Sequence, residues 1–477
     1  MSTASSHPAR GGGKVSKVSK GSKSIARRLG AWVADLSLEQ VPEEALHIAR
    51  RCIVDTISVA VAGSRTLVAE RLREHVAAQY GSGSCNLLGT SHSASAAGAA
   101  LANGVAAHAL DFDDTSYAGV VHGSAVILPA VLAAGEQANI SGAGFLEAFV
   151  AGSEAAYALG LTLTDSHYMS GWWATGTLGA IGAAAGAAKA LGLGRGEISA
   201  AIALSALQAN GMMAMFGFDA KPILAGQAAR LGVESALLAA QGNSVPLAAF
   251  EDRRGLLNLM NEGRQDAAGL AGLGRTWRLL EPGIAIKRAP VCSAAQAAIE
   301  VTEKMIAENN LDRAQIKDVR CEVSHLVKVS LVHDRPATPS EAQFSMPFAV
   351  GCILAFGKLG PDQITGETLA GKALQDAMAK VVMVEADDLN GPDYQPHSPE
   401  CARVTISMLG GDVFTGFLGE PTGMPGNPMS DEALEEKFRT CAGSTGLPSK
   451  KIERILETIW NIELYDDVSR LFDETRI

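Results

Sequence analysis

A run of small residues leaves this chain few ways to fold. It extends from Gly176 to Leu193 and is mostly Ala and Gly, with Gly179, Gly182 and Gly186 three or four positions apart. Residues at that spacing share one face of a helix, and a face without side chains lets a second helix approach closely. Only 5% of the chain is aromatic and 19% is charged, whereas 47% is hydrophobic. The sequence therefore predicts a large core of closely packed helices.

Apolar residues recur at helical spacing through the first 265 residues. The pattern predicts two or three helices between Ser24 and about Gly81, and further helices over Ala94–Leu110 and Ser124–Ala138. The uncharged run from Ile198 to Phe218 is long enough to span a bilayer. Because that run contains two serines, a glutamine and an asparagine, we expect a buried core helix instead and no membrane partner.

The pattern changes after Gly274. Ile316–Val323 and Cys401–Met408 alternate and contain β-branched residues, which is typical of strands. Gly410-Gly411-Asp412 supplies a turn into a further strand, and helical stretches at Ser293–Glu308 and Ser345–Phe356 lie among these segments. This half of the chain therefore predicts an α+β domain.

Together these patterns predict a mainly α fold, with a large all-helical domain plus a smaller α+β domain. We expect a disordered basic tail at residues 1–23, the helical domain at 24–272, the α+β domain at 273–425, and C-terminal helices at 426–477 that return to the helical domain. The tail carries Lys and Arg among Ser and Gly, without the apolar region of a secretory signal or the apolar face of a transit peptide.

Charge and cysteine usage narrow the range of partners and compartments. A net charge of -11 argues against nucleic-acid binding, because phosphate binding needs clustered Lys and Arg. A small anionic substrate stays compatible, since a few basic groups in a cleft outweigh a distant net charge. The seven cysteines are far apart and form no CxxC pair, which predicts reduced thiols in the cytoplasm. The sequence also contains no Walker loop, HExxH or GxSxG motif.

A polar segment between two apolar helices is the strongest local signal. It reads His108-Ala109-Leu110-Asp111-Phe112-Asp113-Asp114-Thr115 and is followed by His122-Gly123-Ser124. Such a segment must be solvated, hydrogen-bonded within itself, or used in chemistry. Two interpretations stay open on these residues alone: helix capping by Asp113 or Asp114, and a catalytic site.

The same segment resembles the signature of the MmgE/PrpD family, which includes 2-methylcitrate dehydratase, cis-aconitate decarboxylase and iminodisuccinate epimerase. Further similar segments follow in order, and the likeness covers about residues 24 to 470. These segments are GWWATGTLGAIGAAAGAAKALGL (171–193), KPILAGQAAR (221–230), IKRAPVCSAAQAAIE (286–300), EAQFSMPFAVGCILAFG (341–357) and PTGMPGNPMSDEALEEKF (421–438).

The resemblance implies a helical domain capped by an α+β lid, with the active site in the cleft between them, in a homodimer. It also implies chemistry without a metal or an organic cofactor. A proton moves at a carbon next to a carboxylate of a small di- or tricarboxylate, which leads to loss of water, loss of CO2 or inversion. We therefore expect a lyase, either a dehydratase or a decarboxylase, with an epimerase as the alternative.

The family's active-site positions match Asp111, Thr115, His122, Lys221 and Lys287. His122 is expected to be the general acid/base, because histidine titrates near neutrality. Lys221 would anchor a substrate carboxylate or donate a proton. Asp111 and Thr115 would orient His122 or a substrate hydroxyl, and Lys287, together with Arg288, would close a cationic clamp.

This chain departs from the family at four positions. Trp173 and Gln296 each stand where the family commonly has a histidine, Leu224 replaces another histidine, and Phe348 replaces a tyrosine. An indole cannot accept a proton, so the pocket is expected to be more apolar and poorer in acid/base groups. Two explanations stay open: a substrate with an apolar arm against Trp173 and Phe348, with Gln296 nearby, or a catalytically silent dimer that serves as a binding protein.

Overall fold

The computed structural model of the protein describes residues 24–394 and 398–476. The predicted disordered tail, residues 1–23, lies outside the described residues. The described chain is mainly helical and adds a small mixed sheet in its second half, which confirms the predicted fold class.

The first part of the chain forms the helical domain. Its helices are α1 (Ile25–Asp35), α2 (Glu43–Gly63), α3 (Leu67–Gln79), α4 (Ala96–His108), α5 (Ser124–Ala138), α6 (Gly142–Met169), α7 (Ala174–Ala190), α8 (Arg195–Gln208), α9 (Ala220–Ala240), α10 (Leu256–Asn261) and α11 (Ala267–Ala271). Two short antiparallel pairs accompany them: β1 (Cys85–Asn86) with β2 (Ser93–Ala94), and β3 (Thr115–Ser116) with β4 (Ile284–Ala285).

Glycines hold the central helices at backbone contact, as the small-residue run predicts. A Cβ atom on Gly182 of α7 would lie 2.8 Å from the carbonyl oxygen of Gly152 in α6. A Cβ atom on Gly226 of α9 would lie 2.3 Å from the carbonyl oxygen of Leu101 in α4. Neither position has room for a side chain. The α4–α9 crossing matters most, because each of these helices carries a residue of the site described below.

The prediction of one helix over Ile198–Phe218 is wrong in its extent. The helix α8 ends at Gln208, and the chain then runs extended so that the N–H of Trp173 donates to the carbonyl of Gly211, at 3.1 Å. A helix of 14 residues rises only about 21 Å, less than the roughly 30 Å of a bilayer core. By length and composition α9 is long and apolar enough to cross a membrane, and so is the bent pair of α2 and α3 if the two are counted as one span. Half of the most apolar stretch of α9 is buried inside the protein.

The second domain is built on a four-stranded sheet with the order β6-β5-β7-β8. Its strands are β5 (Ile316–Val323), β6 (Val381–Glu385), β7 (Ala402–Met408) and β8 (Val413–Leu418), with β5 parallel to β6 and the other neighbours antiparallel. Its helices are α12 (Gln296–Glu308), α13 (His325–Ser330), α14 (Pro339–Ala342), α15 (Met346–Phe356), α16 (Gly366–Ala370) and α17 (Lys372–Met378). Buried and partly buried residues alternate along β7, as they do in a sheet with one covered face.

The chain ends in α18 (Asp431–Gly443), α19 (Ser449–Trp460) and α20 (Val468–Asp473). These helices pack against the helical domain, with α18 lying on α2. Ile455 and Ile459 of α19 are fully buried in the same core as α1 and α2. Residues from the end of the chain can therefore reach the segment between α4 and α5.

Candidate active site

The site begins in the segment that joins α4 to α5. Asp111 has a left-handed backbone, with φ at 47°, and its N–H donates to the carbonyl of His108 at 3.1 Å. Aspartate adopts this conformation more readily than most residues. The turn directs the next side chains inward, and all of the following are at most 2% exposed: His108, Asp111, Asp113, Asp114 and Thr115.

The acids of this segment bind other side chains. Asp113 contacts the imidazole of His108, and Asp114 accepts a hydrogen bond from the hydroxyl of Ser124 at 2.5 Å. Of the two interpretations that the sequence leaves open, capping of helix N–H groups is therefore not the arrangement seen. A buried, internally hydrogen-bonded cluster takes its place.

Asp111 lies between two buried lysines from distant parts of the chain. The ammonium of Lys221, at the start of α9, donates to one carboxylate oxygen at 2.5 Å. The ammonium of Lys287, just after β4, donates to the other oxygen at 3.1 Å and to the Asp111 carbonyl at 2.7 Å. Burial alone would raise the pKa of Asp111, but the two lysines and the nearby histidines outweigh it and hold that pKa well below its usual range.

His108 bridges Lys221 and the carboxylate of Asp113 by hydrogen bonds. Its Nδ1 lies 3.0 and 2.9 Å from the two oxygens of Asp113, which only accept, so Nδ1 carries the proton. Its Nε2 then has a lone pair, which accepts from Lys221 at 2.7 Å. Burial, together with Lys221, lowers the pKa of His108 despite the adjacent Asp113. A neutral ring with this tautomer satisfies every contact.

His122 has the tautomer of a general base. Its Nδ1 faces the Asp114 carbonyl at 3.0 Å, the Thr115 hydroxyl at 3.1 Å and the Asp113 carboxylate at 3.3 Å. A carbonyl and a carboxylate accept only, so Nδ1 donates and Nε2 keeps its lone pair. Burial lowers the pKa of His122 to about 4, with Lys287 and Lys221 acting in the same direction and Asp113 opposing them. Nε2 has no hydrogen-bond partner among residues 24–394 and 398–476.

Aromatic rings surround the Lys221 ammonium. Its Nζ lies 5.5 Å from the ring centre of Trp173, 5.8 Å from that of Phe216 and 5.0 Å from that of Phe344. The Trp173 ring also lies 5.5 Å from the His108 ring and is 1% exposed. The predicted apolar neighbour Trp173 is therefore part of the site, where it packs against both Lys221 and His108.

Comparison with known proteins assigns the chain to a family. Residues 27–268 match the MmgE/PrpD N-terminal domain, and residues 289–464 match the MmgE/PrpD C-terminal domain. The protein belongs to the MmgE/PrpD family.

Several curated relatives share nearly the full length of this MmgE/PrpD chain. A cis-aconitate decarboxylase-like protein of Aspergillus oryzae is 26% identical, over 94% of this chain and 96% of the relative. The cis-aconitate decarboxylase of Aspergillus terreus is 25% identical, over 96% and 97%. The human cis-aconitate decarboxylase is 27% identical, over 94% of each chain.

Two residues predicted to bind substrate in the MmgE/PrpD cleft serve structural contacts instead. Arg288 pairs with Glu303, so the predicted clamp of Lys287 with Arg288 is not formed, and the second cation at Asp111 is Lys221. The Gln296 amide accepts from the N–H of Ala289 at 3.1 Å and donates to the carbonyl of the same residue at 2.9 Å. Gln296 thus holds the backbone that follows Lys287.

Phe348 is not a wall of the MmgE/PrpD site. It is fully buried in the core of the α+β domain, a cluster separate from the one that contains Trp173. Leu224 is partly buried on α9 and packs against the helical core. The prediction of an apolar substrate arm between Trp173 and Phe348 is therefore wrong, because lid packing turns Phe348 inward.

Lys437 is a buried part of the MmgE/PrpD site that the sequence did not reveal. It reaches from α18 and donates to the carbonyls of Phe112 and Lys287, at 2.8 and 2.9 Å, and lies 2.6 Å from a carboxylate oxygen of Asp55. Two of its three protons thus go to backbone carbonyls, and Asp55 lies beside it as the counter-charge. Lys437 joins the Asp111 loop to the backbone of Lys287. Its position among Glu435, Glu436 and Arg439 predicts only an exposed helix face.

His108, Asp113 and His122 also form a group whose ligand atoms lie within 4.8 Å of one another, close enough to hold a metal ion. The hydrogen bonds of the two imidazoles place a proton on each Nδ1 that faces Asp113. A metal ion would have to displace both protons, and the Nε2 of His108 is already bound by Lys221. The arrangement of hydrogen bonds therefore favours protons at this point of the MmgE/PrpD site.

Proposed function

We propose that this protein is a lyase that removes CO2 or water from a small di- or tricarboxylate by proton transfer, without an organic cofactor. One observation carries the proposal: a neutral His122 with an unpartnered Nε2, among the described residues, lies in one buried cluster with Lys221 and Lys287. This cluster provides a base for a C–H bond and cations for carboxylates.

The two lysines can bind an anionic substrate without giving up Asp111. Lys221 uses two N–H groups, for His108 and Asp111, and Lys287 uses two for Asp111. Each ammonium therefore retains one donor. Because both donors lie in a buried, low-dielectric site, they stabilise charge that develops on a substrate carboxylate more strongly than water would.

The site supports both lyase reactions by the same proton movement. In decarboxylation the bond to the departing carboxylate breaks, its electron pair moves into the carbon framework, and a carbon next to a retained carboxylate takes a proton. In dehydration His122 takes a proton from such a carbon, and the departing oxygen takes a proton to leave as water. The cis-aconitate decarboxylases among the relatives make decarboxylation of cis-aconitate the first reaction to test.

We also propose that the protein acts in the cytoplasm as a homodimer. The cytoplasmic assignment is supported by the cysteines: none of the seven, all within the described residues, forms a disulfide, and six are buried. The homodimer rests on the family resemblance.

Proton NMR in D2O tests the reaction. The protein is incubated with cis-aconitate, 2-methylcitrate, citrate and iminodisuccinate, and product signals or deuterium next to a carboxylate are followed. We expect turnover of at least one compound, loss of it in Lys221→Met, and full retention in Lys450→Met, which changes an exposed lysine. Loss of a stereocentre's proton without CO2 or water would point to epimerisation. If a folded wild type leaves every compound unchanged, the lyase proposal is wrong and a silent binding protein is favoured.

A further inference from the structure

Glu400 is a buried carboxyl that joins the two segments carrying the candidate site. It lies just before β7 and is 3% exposed. The hydroxyl of Tyr117 is hydrogen-bonded to its Oε2, and the hydroxyl of Ser293 donates to its Oε1 at 2.9 Å. Tyr117 comes from the segment between Thr115 and His122, and Ser293 lies in the segment that follows Lys287.

A strained hairpin positions Tyr117. Ser116 and Val121 exchange two backbone hydrogen bonds of 2.9 Å, and Tyr117 begins the loop between them. In that loop Val120 has φ at 57°, a left-handed conformation that is costly for a β-branched residue. Backbone strain of this kind persists only where the surrounding contacts hold the backbone in place, often at functional sites.

Burial favours the protonated form of both members of this pair. It raises the pKa of Glu400 despite hydrogen bonds from Tyr117 and Ser293 and the charge of Lys287, with Asp111 adding to the rise. Burial raises the pKa of the Tyr117 phenol well above its usual range, and the neighbouring Glu400 adds to the rise. The Tyr117 hydroxyl donates to Oε2 while that carboxyl is ionised; once Glu400 carries a proton it can donate to the Tyr117 oxygen instead, which frees the phenolic proton to donate elsewhere. Tyr117 is half-buried, unlike Glu400.

In the proposed lyase the two ammonium groups at Asp111 bind the carboxylates of the substrate, so we sought the proton donor outside that cluster. His122 is neutral with its lone pair outward, so it accepts a proton in its resting state. Trp173 stands where an imidazole is common in the family and cannot take part in proton transfer. An acid is nevertheless needed to protonate a carbon as CO2 leaves, or an oxygen as water leaves.

We propose that Tyr117 and Glu400 form a proton relay that delivers this proton to the substrate; the inference rests on the proposed function. Tyr117 gives its phenolic proton to the substrate while its oxygen takes the proton of Glu400, which becomes a carboxylate. In decarboxylation Glu400 regains a proton from water, matching the net proton uptake. In dehydration the proton taken by His122 returns to Glu400 through water. Tyr117 is then the catalytic residue and Glu400 its positioned proton source.

Kinetics of matched variants test the relay. Glu400→Gln and Tyr117→Phe should each lower kcat about a hundredfold or more while KM changes little. The double variant should be no slower than either single one, because the two groups act as a unit. Ser293→Ala removes the other hydrogen bond to the same carboxyl and should keep most of the rate. In the wild type kcat should fall as pH rises through the Glu400 pKa, and this decline should be absent from Glu400→Gln.

An infrared measurement decides the point independently of turnover. The difference spectrum between the wild type and Glu400→Gln at pH 7 should contain the carbonyl band of a protonated carboxyl, and Tyr117→Phe should shift that band. Absence of the band overturns the relay, even if the lyase reaction is found. Equally, near wild-type kcat in both folded single variants overturns it. If instead the proposed function is wrong, the wild type will be inactive although the carbonyl band of Glu400 is present. The relay would then be rejected as a step of the lyase reaction.

Discussion

His122 differs from an ordinary histidine because of what surrounds each ring nitrogen. Nδ1 is held by acceptors on three consecutive residues, Asp113, Asp114 and Thr115, so the tautomer is fixed and Nε2 keeps its lone pair. Two lysines in the same cluster disfavour a further positive charge. Protonation state and orientation are thus set together by one short segment of sequence.

The lowered pKa predicts how turnover depends on acidity. Since the pKa of His122 is about 4, the neutral base persists below the usual pKa of 6.5, and kcat should hold to about pH 5 and fall as pH drops through about 4. A pH–rate profile, with circular dichroism at each pH to confirm folding, measures this. An acid limb centred near 6.5 in folded protein would contradict the assignment of His122 as the buried base.

The protons on the two Nδ1 atoms predict independence from metal. Dialysis against EDTA should leave the rate unchanged, because hydrogen bonds already occupy the space between His108, Asp113 and His122. Added Zn²⁺ should inhibit, since it would have to displace those protons from the base. The check is the initial rate before and after chelation, with the metal content measured; activity lost on chelation and regained with metal would show the opposite.

At the scale of helices, the site depends on how closely α4 and α9 cross. The end of α4 carries His108 and the start of α9 carries Lys221, and their side chains meet at 2.7 Å. Gly226 makes this approach possible, because a Cβ there would lie 2.3 Å from the Leu101 carbonyl. The small-residue pattern of the sequence therefore bears directly on the geometry of the acid/base groups.

Gly226→Ala should separate the two helices and weaken both fold and function. We expect a loss of about 1–3 kcal/mol in the free energy of unfolding, as for overpacked cores, together with a large fall in kcat. The control is Gly196→Ala in α8, where nothing lies within 4 Å of the new Cβ and stability should change by about 0.5 kcal/mol or less. Urea denaturation measures both; equal stability of the two variants would refute close packing at Gly226.

The link from α18 to α2 gives a second prediction at this scale. Lys437→Met leaves Asp55 buried without its cation, near Asp113 and Asp114, and should cost about 3–5 kcal/mol of unfolding free energy. Lys437→Met combined with Asp55→Asn removes both charges and should recover much of that loss. Denaturant unfolding of the three proteins forms a double-mutant cycle. Additive losses would mean that the two side chains do not interact.

Helices and strands with a clear hydrophobic period could be predicted from the sequence, and those without such a period could not. Helix α5 occupies the predicted residues Ser124–Ala138, and strand β5 the predicted Ile316–Val323. Helix α6 (Gly142–Met169) is buried on nearly all sides and shows little amphipathic pattern, and β6 (Val381–Glu385) is a short edge strand that pairs in parallel across a long connection. Periodicity reports which face is covered, so it says least about such elements.

For the site, the sequence placed residues near the cluster but not the direction of their side chains. Asp111, Thr115, His122, Lys221 and Lys287 come together because they belong to one motif or to the starts of elements that face it. Arg288 follows Lys287 and yet points to Glu303, and Lys437 lies in a charged helix and yet is 8% exposed. These directions depend on packing between domains, which no local pattern encodes.

At the scale of the whole molecule, buried carboxyl groups outnumber the cations that accompany them. Burial raises the pKa of Asp114 and of Glu154 to about 7, and that of Glu136 to about 8. In the unfolded chain such groups titrate near 4. Between these values the folded protein binds more protons, so these groups make stability fall as pH rises toward 8. His122, with its lowered pKa, makes stability fall as pH drops from 6.5 to about 4.

Between pH 4 and 6.5 the three raised carboxyls outweigh the one lowered histidine, so these groups should make the free energy of unfolding greatest near pH 4 and lower it steadily as pH rises toward 8. Glu136 accepts hydrogen bonds from the backbone N–H and the side-chain amide of Asn86, at 2.9 and 2.8 Å, so Glu136→Gln removes one titrating proton and keeps an oxygen that can accept from Asn86. The alkaline decline should then lessen by up to about 1.4 kcal/mol per pH unit. Glu44→Gln, at an exposed glutamate, should leave the slope as it is. Urea unfolding at pH 5 to 8.5 measures how the free energy of unfolding changes with pH. Identical slopes for the wild type and Glu136→Gln would mean that Glu136 is ionised in the folded protein, because the Asn86 donors offset its burial.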